Sequence, residues 1–210
     1  MSAAARRKLA AADPTMAVLI ERVGKIDIAT RLKRRSEERP ADAYGALLRA
    51  IVGQQLSTKA ARTIYGRVLD IFDGKTPTPE ELLAASEKDL RGAGLSGRKV
   101  EYIQDLAKHV LSGELELDKL GELSDEEAIE EIVAVRGLGQ WTAEMFLLFH
   151  LERPDVLSGG DLGIRKAVQI EYELEEMPTP EHVLEIGEPW RPHRSLASLY
   201  LWESLAAVPA

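Results

Sequence analysis

The sequence predicts an all-α fold, and three observations carry that prediction. Apolar residues recur at helical spacing: Tyr44, Leu47, Leu48, Ile51 and Val52 fall at i, i+3, i+4, i+7 and i+8, one face of an amphipathic helix. Two Thr-Pro-Glu signals, Thr78-Pro79-Glu80 and Thr179-Pro180-Glu181, place a side-chain cap ahead of a proline at the first helical position. No segment alternates apolar and polar residues for long enough to make a strand; even Leu157 runs straight into Ser158-Gly159-Gly160.

Taken in order, the N-terminal segment, rich in Ala, Arg and Lys, reads as a frayed or partly disordered helix. The Tyr44–Val52 helix follows. Gly74, Gly94, Gly97, Gly113 and Gly121 then punctuate the middle of the chain as turns or helix stops. Ser124 opens a helix with an acidic first turn, Asp125-Glu126-Glu127, which runs to about Val135 with Ile129, Ile132 and Val133 facing inward. A tight Gly137-Leu138-Gly139 turn leads to a second helix starting near Gln140. The whole pattern amounts to about nine or ten helices. The expected organisation is a central lobe, residues 42–152, carrying the paired helices at 124–151, and a second lobe from residues 1–41 and 153–210. Ser158-Gly159-Gly160 would then lie at the join and carry Asp161 into a cleft between lobes, where substrates commonly bind.

Composition narrows the chemistry. The chain has 210 residues with 45% hydrophobic content, enough for a sizeable core. The absence of cysteine removes disulfides, iron–sulfur clusters, thiolate zinc sites and cysteine nucleophiles together. Four histidines, His109, His150, His182 and His193, show no paired metal-ligand spacing, so no side-chain metal site is expected. No apolar run approaches the roughly 18 residues of a membrane span, and the N-terminal residues lack the apolar core of a signal peptide, so a cytoplasmic protein with no membrane partner is expected. A net charge of −8 argues against a protein that coats nucleic acid nonspecifically, because such affinity comes from Lys and Arg. It leaves room for a small local grip.

Such a grip is offered by Val135-Arg136-Gly137-Leu138-Gly139-Gln140-Trp141-Thr142-Ala143. Glycines leave backbone amides uncovered, and the following helix N-terminus carries partial positive charge, a combination suited to a phosphate oxygen. Phosphates look alike, so this grip reads no sequence. A plain packing corner between two helices would have the same local pattern. Asp161, downstream, reads locally as an N-cap for Leu162-Gly163-Ile164-Arg165-Lys166, and a capped aspartate is also an oriented one.

These motifs together resemble the helix–hairpin–helix DNA glycosylase superfamily. Ile51-Val52-Gly53-Gln54-Gln55-Leu56-Ser57 and Trp190-Arg191-Pro192-His193-Arg194-Ser195, combined with the hairpin and Gly160-Asp161, resemble its 3-methyladenine DNA glycosylase II branch over residues 40–205. The resemblance implies two helical lobes flanking a DNA-binding cleft, without the N-terminal β-rich domain of some larger members. It implies a monomer acting on double-stranded DNA that contains alkylated bases, with no organic cofactor. A monovalent cation at the hairpin carbonyls belongs to the same family pattern. Arg136 departs from it, standing where many hairpins carry proline.

The resemblance assigns Asp161 as the catalytic carboxylate, which fits the cationic sugar that builds up when an N-glycosidic bond breaks. Gly137, Gly139 and Thr142 are implied phosphate contacts. Trp141, Met145, Leu162 and Trp202 are implied to line the pocket of a flipped base, where electron-rich indoles attract a cationic alkylated purine. Met145 and Leu162 replace aromatics found in some relatives. Gln55 and Leu56 are the implied wedge that fills the gap left in the stack; Leu56 packing inward and Gln54 tying the helix end is the plain alternative. Bifunctional relatives carry a lysine where this chain has Trp141, and an indole has no amine to form a Schiff base. A monofunctional hydrolase leaving an abasic site is therefore expected. A non-catalytic module that binds damaged DNA is the rival expectation, with Asp161 as the feature against it. Arg98, Lys99 and Arg194 are left open between phosphate contacts and structural braces.

Overall fold

The computed structural model describes residues 3–26 and 42–206, and every regular element in them is helical. In chain order these are α1 (Ala3–Ala12), α2 (Pro14–Val23), α3 (Ala43–Gly53), α4 (Thr58–Asp70), α5 (Pro79–Ala84), α6 (Glu87–Gly92), α7 (Gly97–Ser112), α8 (Asp125–Ala134), α9 (Gln140–Phe149), α10 (Leu162–Glu171), α11 (Pro180–Ile186), a 3-10 turn (Glu188–Trp190) and α12 (Arg194–Ala206). More helices form than the periodicity predicts, partly because Ser86 caps α6 immediately after α5 has ended at Ala84. Residues this short carry too little pattern to be separated by spacing alone. Among the described residues no helix is long and apolar enough to cross a membrane.

Helix starts follow the capping chemistry of the sequence. Thr78 and Ser124 each form a full capping box, with Glu81 and Glu127 returning a carboxylate to the cap amide. Thr179 accepts the His182 N–H ahead of Pro180. Each such cap is worth about 1 kcal/mol. Gly97 opens α7 behind the Ser96 cap instead of stopping a helix, whereas Gly113 ends the same helix in the left-handed conformation.

The chain divides into two compact units, the second of which ends at Phe146, inside α9. The first unit takes in α1, α2 and everything from Leu147 onward. Its core joins Leu9, Met16 and Leu19 to Ile164, Val168, Val183, Trp190, Tyr200 and Leu201. The N-terminal helix is part of that core rather than frayed: Ala5 and Leu9, one turn apart, are both buried. Asp13 ties the ends together, capping α2 with one oxygen while the other accepts from the Tyr172 hydroxyl and the Trp190 indole. Burial and the Asp13 carboxylate push the Tyr172 phenol well above its ordinary pKa.

In the second unit Tyr44, Leu47, Leu48, Ile51 and Val52 are all buried, as their spacing predicts. The inward face of α8 differs from expectation. Ala128, Ile132 and Val135 are buried, whereas Val133 is 40% exposed. The buried set keeps the four-then-three residue spacing of one helix face, and Val133 stands about 100° away from Ile132.

Candidate active site

Asp161 lies at the head of α10, and its location follows from local sequence. Its amide donates to the buried Ser158 carbonyl at 3.1 Å, which closes the Ser158-Gly159-Gly160 turn. Its Oδ1 accepts the Ile164 N–H at 2.8 Å, making the N-cap that the local sequence suggests. The same oxygen accepts the indole N–H of Trp202 at 2.9 Å, a bond the sequence does not advertise. Asp161 is only 9% exposed. Trp202, half-buried on α12, stacks on Phe149 with ring centres 5.9 Å apart. Carboxylate and aromatic face are therefore held as one assembly.

Gly163 makes room for it. A Cβ at this position would meet Asp161 Oδ1 and Trp202 Cδ1, each at 3.1 Å, so any side chain presses directly on the pair. Leu162, beside Asp161, is 66% exposed. At that exposure it is no part of the core.

The other aspartate of this loop has a different fate. Asp155 receives Arg191 Nη1 at 2.7 Å and both the amide and Nε of Arg194, at 3.2 and 3.0 Å. Arg194 is thereby a brace within the first unit. Ser195 adds to it, taking the Val156 N–H and donating to the Arg153 carbonyl. Within the Trp-Arg-Pro-His-Arg-Ser motif, Arg191, Arg194 and Ser195 are in this way explained by packing around Asp155, while Trp190 donates to Asp13.

The hairpin belongs to the second unit up to Phe146. Gly137 has φ +89, a left-handed conformation that glycine adopts without strain, and a Cβ there would overlap the Tyr102 ring. Gly139 does not adopt a positive φ, and a Cβ on it would meet open space. Only one of the two glycines is thus required by the backbone; the other leaves the helix start uncovered. The Ala143 N–H closes the first helical bond onto the Gly139 carbonyl at 3.1 Å, so Gln140, Trp141 and Thr142 form the first turn of α9. Thr142 is buried, at 8% exposure, on that first turn. The Val135, Gly137 and Gly139 carbonyls accept from Leu138, Gln54 and Ala143 respectively. Each of these carbonyls keeps a second lone pair beyond its protein donor, so one hydrogen bond apiece does not fill them. No group of three or more metal-binding side chains occurs among the described residues.

Trp141, on the first turn of α9, is 52% exposed, which removes it from any core; Met145 on the same helix is half-buried. Gln55 is exposed and takes φ +57, a conformation uncommon for a non-glycine residue, while Leu56 is half-buried. Gln54 does more than tie the end of its own helix: its Nε2 donates to the Gly137 carbonyl at 2.7 Å. Lys99 is a brace, its ammonium donating to the carbonyls of Val52 and Gln54. Glu144 escaped sequence reading altogether. It is a buried carboxylate on α9 that accepts from Gln140 Nε2 at 3.0 Å, one helical turn away. Nothing but its i, i+4 spacing from Gln140 could have marked it.

Residues 48–192 match the model of the HhH-GPD superfamily of base excision DNA repair proteins. The chain is 38% identical over 165 residues to DNA-3-methyladenine glycosylase 1 of Schizosaccharomyces pombe, covering 78% of this chain and 72% of that protein. Among solved structures it resembles a Bacillus halodurans DNA-3-methyladenine glycosidase, at 36% identity and TM-score 0.84, covering 97% of this chain and 89% of that one. It also resembles the Schizosaccharomyces pombe 3-methyladenine DNA glycosylase in complex with abasic DNA, at 32% identity and TM-score 0.80, with 97% of each chain covered. Other relatives are longer: the chain spans 58% and 57% of two Bacillus subtilis proteins that it matches.

Proposed function

The chain belongs to the HhH-GPD superfamily of base excision DNA repair proteins, and we infer that it is a DNA glycosylase that hydrolyses the N-glycosidic bond of alkylated purines in double-stranded DNA. The observation that carries this reading is the Asp161–Trp202 assembly: a buried carboxylate oriented by a helix cap and an indole N–H. Departure of the base leaves positive charge on the deoxyribose, and a carboxylate fixed in advance stabilises that charge with little reorganisation. Asp161 also orients the attacking water.

An alkylated purine is cationic and already a good leaving group, so the protein must chiefly bind it and stabilise the sugar. Trp202 and Trp141 supply electron-rich faces for stacking, with Leu162 and Met145 as apolar neighbours of the base. First-turn amides of α9, opened by Gly137 and Gly139, hold backbone phosphates. Gln55 and Leu56 fill the gap left by the extruded nucleotide. Trp141 brings no amine to the sugar, so the enzyme is monofunctional and leaves an abasic site. It acts as a monomer, in the cytoplasm.

The test is free-base release from duplexes carrying 3-methyladenine, 7-methylguanine, hypoxanthine or 1-methyladenine. Release of at least one alkylated base without strand cleavage, lost in Asp161→Asn while duplex binding persists, is the expected result. Binding without release would identify a non-catalytic damage reader instead. A covalent complex trapped by borohydride would overturn the monofunctional assignment.

A further inference from the structure

Helix α7 presents Lys99, Tyr102 and Asp105 at successive three-residue steps, so the three side chains share a face. Lys99 Nζ donates to the Val52 and Gln54 carbonyls, both at 2.8 Å, at the C-terminal end of α3. Carbonyls there lack intrahelical partners, and a cation is favoured by the helix dipole. Burial lowers the lysine's pKa from its ordinary value, as expected for an ammonium that has exchanged water for protein carbonyls. The Tyr102 ring lies directly against Gly137 of the hairpin. Asp105 Oδ2 accepts the Arg136 N–H at 2.8 Å, the very donor that a proline at this position would lack.

One helix face therefore supports two loops that are far apart in sequence: the Gln54-Gln55-Leu56 turn through Lys99, and the hairpin through Tyr102 and Asp105. Gln54 joins them directly. Its backbone carbonyl is held by Lys99, and its side chain donates to the Gly137 carbonyl at 2.7 Å. The next residue, Gln55, is the one held at φ +57. Extruding a base costs stacking that is regained only if the gap is filled while the backbone is held. A hydrogen-bonded frame between filler and grip settles that geometry before DNA arrives.

Resting on the glycosylase reading above, we propose that Gln54 and the Lys99–Tyr102–Asp105 face are positioning residues that set the spacing between the intercalating turn and the phosphate-gripping hairpin. None of them touches a reacting atom. Their loss impairs extrusion and spares the chemistry on a base already out of the stack.

The experiment compares wild type, Gln54→Ala, Gln54→Glu and Lys99→Met on two substrates. One is a fully paired duplex with 7-methylguanine opposite cytosine; the other has the same lesion in a single-nucleotide bulge. A 2-aminopurine next to the lesion reports extrusion. Single-turnover release from the paired duplex is expected to fall about tenfold, with a matching loss of the fluorescence step, while release from the bulge falls less than about threefold. The Gln54→Ala, Lys99→Met double variant should be little worse than either single one, because both act on one turn. Equal losses on the two substrates, or a fluorescence step unchanged in every variant, would overturn the proposal. If wild type extrudes the base and never releases it, the glycosylase reading fails, and the fluorescence step still decides the fate of the frame.

Discussion

Asp155 and Asp161 stand on the same loop, six residues apart, and the protein uses them in opposite ways. Asp155 is met by two guanidinium groups, Arg191 and Arg194, at 2.7 and 3.0 Å. Asp161 is oriented at Oδ1 by a backbone amide and an indole, both neutral donors. The first arrangement spends a carboxylate on architecture. The second holds a buried carboxylate in a fixed direction at the head of α10. Only Asp161 lies in the Gly160-Asp161 motif, and the donors that meet the two carboxylates differ as well.

The comparison can be broken most forcefully at Asp161. Asn caps helices nearly as well as Asp, so Asp161→Asn should fold normally and bind duplex DNA. Base release should nonetheless drop by about a thousandfold, measured as free base by chromatography under single-turnover conditions. Asp155→Ala should do the reverse, costing about 2 kcal/mol in urea denaturation while the folded fraction stays active. Most of that cost belongs to Arg194, whose side chain is 13% exposed, because the pair with the 48% exposed Arg191 is screened by water.

Two smaller changes sharpen the contrast. Trp202→Phe keeps an aromatic ring against Phe149 but deletes the N–H that Asp161 accepts. Release should slow by about tenfold with little change in melting temperature. Gly163→Ala places a methyl against both partners, and a shift of a few tenths of an ångström should slow release by about threefold. Retention of the wild-type rate in Trp202→Phe would reduce Trp202 to a stacking surface.

Much of the molecule is legible in its sequence because local rules govern it. The caps at Thr78, Ser124 and Thr179 and the buried face of α3 form as side-chain chemistry and spacing dictate. Asp161 as an N-cap was equally readable. What spacing does not reveal is long-range pairing. The Trp202 N–H reaches Asp161 across 41 positions, Gln54 reaches Gly137 across 83, and Asp105 meets the Arg136 amide across 31. Each is a contact between elements whose meeting depends on the tertiary fold. The same holds for Val133, placed inward by its apolar character and found exposed, and for the N-terminal helix, whose Ala-rich composition does not single out the buried Ala5 and Leu9. Lys99 and Arg194 likewise resolve into braces only when the carbonyls and carboxylate they face are known.

In the proposed enzyme one of two neighbouring aspartates does the chemistry and the other holds the fold. Single-turnover base release by Asp155→Asn and Asp161→Asn, each normalised to its folded fraction on the same alkylated duplex, tests it directly. The expected rate for Asp155→Asn lies within about threefold of wild type and at least about a hundredfold above that of Asp161→Asn. Comparable losses in the two variants, or a fully active Asp161→Asn, would contradict it.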